Sequence, residues 1–272
     1  MQCSHSVGFS GQDASSIGAF QCAAVDERTH PFGESLLSYR LIVALDVPEL
    51  KKAEQIVKTV SPLVKVFKVG KELFTSAGPD AVKMVHAHGC RVFLDLKFHD
   101  IPNTVASACE AAARMGVFLM NVHACGGRTM MVNAVQAVHK VAAEKKTAAS
   151  KVLGVTVLTS LADRDLKEVG ITKKIAKQVP DLAFLAKASG LDGVVASAQE
   201  IPLIRKRVGK DFLIVTPGVR PVWAAHGDQK RVATPKEAID LGADFIVIGR
   251  PITQHPQPLV AAEKILKEIE DR

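Results

Sequence analysis

The stretch that decides the fold reads Arg91-Val-Phe-Leu-Asp95-Leu-Lys97-Phe-His-Asp100-Ile-Pro-Asn-Thr104. Its apolar first half is typical of a buried strand, and the Ala-rich segment that follows is typical of a helix. Side chains two residues apart on a strand share a face, which predicts that Asp95 and Lys97 point the same way. By the same alternation, the opposite face carries three side chains in apolar packing: Leu94, Leu96 and Phe98.

Charges of alternating sign end this strand. Asp100 is predicted to lie past the strand end, on the loop closed by Ile101-Pro102. An ordinary salt bridge at a strand end is the alternative interpretation of Asp95 and Lys97. Burying such charges is costly unless they are paired. The longer string and its place in a strand–helix series therefore favour a functional site.

Eight apolar, often β-branched runs alternate with helix-like segments from residue 41 to the C-terminus. Strands are predicted at 41–47, 64–69, 91–98, 118–124, 152–159, 193–197, 212–216 and 245–249. Helices are predicted at 49–60, 79–88, 103–114, 128–144, 163–188, 199–207, 235–241 and 256–270. Near-continuous apolar runs are typical of parallel strands buried on both faces. The series predicts an α/β fold, a (β/α)8 TIM barrel. The alternative is a doubly wound open sheet, which more often has a Gly-rich turn after its first strand.

Residues 1–38 differ from the rest, because they are rich in Ser, Gly, Gln and His and show no sustained period. We expect a partly ordered N-terminal extension there, followed by a barrel catalytic domain at 39–272.

Composition narrows the function. The chain has 272 residues, of which 47% are hydrophobic and 23% charged, as in an ordinary globular protein. Its net charge of +7 is spread among acidic residues, without a basic stripe interleaved with aromatics. This pattern favours a phosphorylated metabolite over nucleic acid as the partner. No apolar run reaches the roughly 18 residues of a membrane span, and we expect neither a span nor a signal peptide.

The five cysteines also indicate a compartment. Their number is odd and none forms a Cys-x-x-Cys pair: Cys3, Cys22, Cys90, Cys109 and Cys125. This argues against a disulfide framework or a structural zinc site and for a reducing, cytoplasmic location. Cys90 and Cys109 lie in apolar segments and are expected to be core thiols.

Polar residues recur where the predicted strands end. They are Asp46, Lys68, Asp95 with Lys97, His123, Thr159-Ser160, Thr216-Pro217-Gly218 and Gly249-Arg250. In a TIM barrel the site forms from the loops at the carboxyl ends of the strands. The sequence therefore predicts one shared mouth that collects these side chains.

The last two strands are predicted to bind a phosphate. Gly249 lets the backbone approach a ligand closely, and the fork of Arg250 suits a phosphate dianion. The long loop after strand 7 could bring Arg220 and Gln229 to the same group. The alternative is a solvated loop with the arginines as surface charge, as we expect for Lys230 and Arg231.

The ordered set of motifs resembles the orotidine 5′-phosphate decarboxylase family from about Leu41 to the C-terminus. The matching motifs are Leu45-Asp46, Lys68-Val-Gly70, Asp95-Leu-Lys97-Phe-His-Asp100-Ile-Pro-Asn-Thr104, Val157-Leu-Thr159-Ser160, Thr216-Pro-Gly218-Val-Arg220, Gly227-Asp-Gln229 and Ile248-Gly249-Arg250. Residues 1–38 lie outside the resemblance, and it gives Trp223 and His226 no role.

The resemblance implies a cofactor-free, metal-free homodimer that decarboxylates orotidine 5′-monophosphate to UMP in pyrimidine synthesis. The implied catalytic group is Lys97, Asp95, Asp100 and Lys68. Lys97 would stabilise the C6 carbanion and donate the proton, and Asp95 would face the substrate carboxylate. Asp100 and Thr104 would be supplied across the dimer interface.

The remaining implied roles concern substrate binding. Asp46 and Lys68 would bind the ribose hydroxyls, and Thr159 and Ser160 the pyrimidine ring. The phosphate end would be formed by strands 7 and 8 with Pro217, Arg220, Gln229, Gly249 and Arg250.

Two rival functions stay open from the residues. One is a magnesium-dependent sugar-phosphate decarboxylase or aldolase of the same barrel group, which resembles this chain in its Asp-x-Lys-x-x-Asp core. The other is a non-catalytic nucleotide- or RNA-binding protein, whose binding would be steeply salt-dependent. His99 and His123 are interpreted as structural or supporting, and Met130-Met131 as core.

Overall fold

A computed structural model describes residues 37–224 and 233–270. Eight parallel strands close into a barrel in sequence order, with β8 pairing back to β1. They are β1 (Leu41–Ala44), β2 (Val66–Gly70), β3 (Arg91–Phe98), β4 (Leu119–His123), β5 (Lys151–Val155), β6 (Gly193–Val195), β7 (Leu213–Pro217) and β8 (Phe245–Ile248). The predicted (β/α)8 barrel and all eight strands are confirmed, and closure rules out the doubly wound alternative.

Helices surround the barrel in the described ranges. They are α1 (Leu37–Arg40), α2 (Leu50–Val60), α3 (Lys71–Ala77), α4 (Asp80–Ala87), α5 (Pro102–Arg114), α6 (Arg128–Lys145), α7 (Asp163–Glu168), α8 (Ile175–Ala188), α9 (Ile201–Val208), α10 (Pro235–Asp240), α11 (Arg250–Thr253) and α12 (Pro258–Glu270). None of them is long and apolar enough to cross a membrane.

Several predicted bounds were wrong. The helix predicted at 163–188 is two helices, because the chain turns at Gly170 with a positive φ of 79°. The sequence reading missed α1, α3 and α11, which are four to seven residues long and too short to show a helical period. α1 begins at Leu37, in the last two residues of the segment predicted as a partly ordered extension, and the bounds of that extension stay a prediction.

Two predicted strands end three or four residues earlier than expected. β1 stops at Ala44 and β5 at Val155, so Asp46, Thr159 and Ser160 lie in loops rather than at strand ends. β5 and β6 separate after Val155 pairs with Val195. Beyond that pair, the backbone N–H and the hydroxyl of Thr156 both donate to the carbonyl of Val195, at 3.2 Å and 2.9 Å.

Two apolar cores flank the strands. The outer core fills the space between strands and helices and includes Leu94, with Leu96 and Phe98 packed against it as predicted. The inner core fills the barrel and includes Phe93 and Leu119. Alternate residues of β3 thus feed different cores, and this alternation directs Asp95 toward the barrel axis just above Phe93.

Aromatic side chains close the amino end of the barrel. The Arg91 guanidinium lies 5.0 Å from the Tyr39 ring centre and 5.1 Å from that of Phe118. Phe118 in turn meets Phe245 edge to face, with ring centres 6.2 Å apart. We call these four residues the barrel floor. Because they cover one end, the opposite end is the accessible mouth.

Candidate active site

Four side chains of alternating charge meet at the carboxyl ends of β1, β2 and β3. Lys97 Nζ lies 2.6 Å from Asp95 Oδ1, and Lys68 Nζ donates to Asp46 Oδ1 at 2.7 Å. Lys68 Nζ is also 3.5 Å from Asp95 Oδ2 and so joins the two pairs. We call these residues the charged array. Its existence confirms that Asp95 and Lys97 lie side by side and that Asp46 and Lys68 share their site.

Burial increases toward the centre of the array. The Lys68 and Asp95 side chains are only 10% and 13% exposed, whereas Asp46 is 54% exposed. Buried charges are tolerated only when paired, and Asp95 meets a lysine at each of its two oxygens. The array therefore presents a paired interior and an open rim at Asp46.

The end of β3 is not a regular strand. Leu94 pairs with Met120 and Phe98 with Val122, so three residues of β3 stand opposite the single residue Asn121. Within this bulge Lys97 has a positive φ of 53°. A left-handed conformation costs a non-Gly residue roughly 1–2 kcal/mol. The bulge re-aims Lys97, so strand alternation alone does not explain where its amine lies.

Asn121 fills the gap that the bulge leaves, and sequence reasoning missed it. Its Oδ1 accepts the Lys97 backbone N–H at 2.8 Å, and its Nδ2 donates to Asp95 Oδ1 at 2.7 Å. The side chain is completely buried. An amide between Met120 and Val122, inside an apolar strand next to β3, was the available signal.

The charge state of Asp95 follows from its neighbours. Burial by itself would raise the pKa of this carboxyl, but Lys68 and Lys97 oppose that effect. Hydrogen bonds from Lys97 and Asn121 add to their opposition, and the net result is a pKa below the usual value. Asp95 is therefore ionised at neutral pH despite its burial.

Gly70 is a second site residue to which the sequence analysis assigned no role. A Cβ added there would lie 2.8 Å from Lys68 Nζ and 3.0 Å from Asp46 Oδ1. Both atoms already bond each other, so neither can move away without loosening the pair. A side chain at this position would disturb the array, which explains the glycine at the end of β2.

Asp100 and Thr104 lie at the rim, on either side of the start of α5. Both are exposed, and the Asp100 carboxylate accepts the Ile101 backbone N–H at 2.6 Å. Among the described residues, neither forms an ion pair or side-chain hydrogen bond with the array. Within one chain the structure therefore does not bring them to Lys97.

The predicted phosphate residues lie along β7 and β8. Pro217 ends β7 and pairs with Val247. A Cβ on Gly249 would sit 3.4 Å from the Ala44 Cβ and 3.8 Å from Asp46 Oδ2, which puts this glycine beside the array. Arg250 is exposed and begins α11 directly after it.

The loop after β7 is described only at its two ends. The Arg220 N–H donates to the Ala233 carbonyl at 2.9 Å, so the ends of the loop approach each other. Gln229, together with His226, Lys230 and Arg231, lies outside the described residues.

Thr159 and Ser160 form a turn beyond β5, with Thr159 half-buried and Ser160 exposed. A cavity of about 650 Å³ lies next to this turn. It is lined by Leu161–Arg164, Ile175, Ala176, Gln199, Glu200 and Leu203. It holds no member of the charged array. Its size alone does not make it the site, since the paired charges lie elsewhere.

Two histidines lie near the array and contact each other. The His99 and His123 rings are 5.3 Å apart between centres. Burial, together with His99, Lys71 and Lys97, lowers the pKa of His123 to about 4, although Asp95 opposes this shift. His123 is therefore neutral at physiological pH. Met130 and Met131 are completely buried, which confirms them as core.

Cysteine and metal chemistry can be checked within residues 37–224 and 233–270. Cys90, Cys109 and Cys125 are free thiols, the first two buried as predicted. Burial raises the pKa of Cys109 to about 12, so it stays protonated. In these ranges no three His, Cys, Asp or Glu side chains cluster in a way that could hold a metal ion.

Comparison with known proteins agrees with this geometry. A family model described as the Orotidine 5'-phosphate decarboxylase / HUMPS family matches residues 39–265. A protein from Syntrophotalea carbinolica named orotidine 5'-phosphate decarboxylase is 53% identical over 85% of this chain and 94% of its own. A protein of the same name from Moorella thermoacetica is 54% identical over 85% and 92%.

Solved structures point the same way. The crystal structure of orotidine 5'-phosphate decarboxylase from Lactobacillus acidophilus superposes with a TM-score of 0.75 at 39% identity. The superposition covers 85% of this chain and 99% of that one. A crystal structure from Geobacillus kaustophilus, titled an uncharacterized conserved protein, gives a TM-score of 0.74 at 39% identity over 84% and 99%.

Proposed function

Because this chain belongs to the Orotidine 5'-phosphate decarboxylase / HUMPS family, we propose that it is a carboxy-lyase acting on orotidine 5′-monophosphate. The products are UMP and CO₂, and the reaction is a step of pyrimidine nucleotide synthesis. No cofactor takes part. The observation that carries this proposal is the Lys97 amine, held 2.6 Å from the buried Asp95 carboxylate at the barrel mouth.

Lys97 answers the main difficulty of this reaction. Loss of CO₂ leaves an electron pair at C6 in the plane of the ring, where resonance delocalises it poorly. A fixed positive charge beside C6 stabilises the developing anion before any solvent has to reorganise. The same ammonium then transfers its proton to C6. Both duties require the positive charge of the amine, and Asp95 lies 2.6 Å away as its counter-ion.

Asp95 has two duties in this scheme. It holds Lys97 in place, and it faces the carboxylate of the bound substrate. Two unit charges about 4 Å apart repel by about 4 kcal/mol at an effective dielectric of about 20. That repulsion disappears as CO₂ leaves. The effect adds to the Lys97 contribution, which we take as the larger one.

The rest of the array and the neighbouring loops bind the nucleotide. Asp46 and Lys68 bind the ribose hydroxyls. The Asp46 carboxylate is half exposed, so it can accept a hydrogen bond from a hydroxyl while it stays paired with Lys68. Thr159 and Ser160 contact the pyrimidine ring. The phosphate is held by Gly249 and Arg250, with Pro217, Arg220 and Gln229 from the loop after β7.

We propose that the active form is a homodimer in which Asp100 and Thr104 serve the site of the other subunit. Ile101 between them is 67% exposed, an unfavourable position for a large apolar side chain at the rim of a mouth. A second copy that covers Ile101 would carry Asp100 toward the opposite array. A cytoplasmic location agrees with the three cysteines of the described ranges, which are all free thiols.

The test is turnover of orotidine 5′-monophosphate, followed by its absorbance. Wild-type protein should decarboxylate it in EDTA, and Lys97→Ala should lose at least about 10⁴-fold in kcat, because stabilisation and proton transfer both fail. Lys83→Ala removes an exposed lysine paired with Asp80 on α4 and is the matched control, expected at wild-type rate.

Two outcomes would count against this proposal. Activity that disappears with EDTA and returns with Mg²⁺ would favour the sugar-phosphate alternative. Turnover by Lys97→Ala within tenfold of wild type would remove Lys97 from the mechanism.

A further inference from the structure

We infer that Asn121 is a positioning residue that holds Lys97 and Asp95 in their reactive arrangement without touching the substrate. This inference rests on the proposed decarboxylase function. It concerns a side chain on β4, whereas the two charges it serves both belong to β3.

The first part of the argument is the backbone of Lys97. The bulge places Asp95, Leu96 and Lys97 opposite a single β4 residue, so regular strand pairing cannot continue there. The Lys97 N–H instead donates to Asn121 Oδ1 at 2.8 Å. A buried N–H that lacks an acceptor is strongly unfavourable. Asn121 thus makes the left-handed conformation of Lys97 tenable.

The second part is the carboxylate of Asp95. Asn121 Nδ2 donates to Asp95 Oδ1 at 2.7 Å, and Lys97 Nζ donates to the same oxygen at 2.6 Å. The other oxygen faces Lys68 Nζ at 3.5 Å. One amide therefore fixes both ends of the Lys97 residue, its backbone directly and its amine through Asp95.

The third part is that the geometry demands one acceptor and one donor from the same short side chain. Reversing the Asn121 amide would set its NH₂ against the Lys97 N–H and its oxygen against the Asp95 carboxylate, and both contacts would be repulsive. The variant Asn121→Asp, when ionised, keeps the acceptor but places a second anion against Asp95. When protonated, the same variant restores the donor and reproduces the amide.

The expected consequence is a loss of rate rather than of binding. Asn121 is completely buried, whereas the proposed phosphate and ribose contacts come from other strands. Displacing a reacting group by about 1 Å can cost about 100-fold in rate. Substitution of Asn121 should therefore lower kcat and leave the affinity for UMP nearly unchanged.

The experiment compares Asn121→Ala, Asn121→Asp and Ser189→Ala with wild type. Ser189 is a buried control, because its hydroxyl donates to the Leu185 carbonyl at 2.7 Å on α8. We expect Asn121→Ala to lose about 100-fold in kcat, with the UMP dissociation constant from calorimetry within about threefold of wild type. Ser189→Ala should keep the wild-type kcat while its melting temperature falls.

Asn121→Asp supplies a signature that general loosening would not produce. Its kcat relative to wild type should rise as pH falls, because the new carboxyl and that of Asp95 then take up a shared proton. A flat ratio across pH, or Asn121→Ala within threefold of wild-type kcat, would overturn the inference. So would a loss of UMP affinity equal to the loss of kcat. A wild-type protein that does not decarboxylate the nucleotide would instead contradict the proposed function.

Discussion

The two ends of this barrel differ in packing, in backbone regularity and in buried charge. At the floor, Tyr39, Arg91, Phe118 and Phe245 pack ring against ring or cation against ring, and β3 pairs regularly with its neighbours. At the mouth, the same β3 is bulged, carries a left-handed lysine and buries charge. A single strand, β3, thus contributes to stability through its first residues and to reactivity through its last.

Strain and buried charge at the mouth need compensation from elsewhere. The floor and the inner core supply apolar burial, worth about 25 cal/mol per Å² removed from water. Part of that stability offsets the Lys97 conformation and the desolvation of Asp95. Substitutions at the two ends should therefore separate, with rate affected at the mouth and stability affected in the inner core.

Among three further effects, the largest is expected at the mouth. Asp95→Asn keeps the shape but removes the anion that Lys68 and Lys97 share. Lys97 then loses its charged partner, and Lys68 keeps only Asp46. We expect kcat to fall about 1000-fold. Steady-state turnover should be measured well below the melting temperature, with native circular dichroism verified. A kcat within tenfold of wild type would contradict the role given to the mouth, since the charge of Asp95 would then be dispensable.

The next effect is in the inner core. Leu119 is completely buried there, two residues before Asn121 on the same strand. Leu119→Ala leaves a cavity and should lower the free energy of unfolding by about 3 kcal/mol. Urea unfolding measures this loss, and kcat at 25 °C should stay within about threefold of wild type, because Leu119 packs in the inner core and not against the array. A large fall in kcat would mean that the inner core and the mouth are not separable.

The smallest effect is the pH dependence of stability from His123. Its pKa is about 4 in the folded protein, below the ordinary value of 6.5. The unfolded chain therefore binds the proton more readily, and stability is lost as pH falls from about 6.5 toward 4. Because the ring is half-buried, we expect less than about 2 kcal/mol. Melting temperatures at several pH values should decline less steeply in His123→Asn, and identical slopes would contradict the assignment.

Much of the fold could be predicted because its signals are local. Each strand is an apolar run of a few residues, and the eight runs predicted the barrel even where their ends were wrong by one to four residues. Short elements such as α3 and α11 could not be predicted, since one or two turns carry too little periodicity. The ends of β1 and β5 depend on where neighbouring strands separate, which no local pattern contains.

The residues of the site also fall into those that local sequence patterns could predict and those that they could not. Asp46, Lys68, Asp95 and Lys97 were found from their place after apolar runs, and the structure brings these four together. Asn121 was missed although it contacts two of them. Gly70 was quoted only as part of a motif, because its role depends on a clash that becomes visible when the Lys68–Asp46 pair is in place.

Local patterns in the sequence were sufficient to predict the strand–helix order and the barrel, because side-chain alternation acts between residues two apart. They also predicted that Asp95 and Lys97 share a face, but the bulge rather than regular alternation places the Lys97 amine beside Asp95. Folding adds three features that no local pattern contains: the bulge in β3, the left-handed Lys97 and the contacts of Asn121. Those features arise between residues 24 and 26 positions apart in the chain. They exist because a buried donor and a buried carboxylate on one strand must find partners on the next, and that need appears only when the two strands pack together.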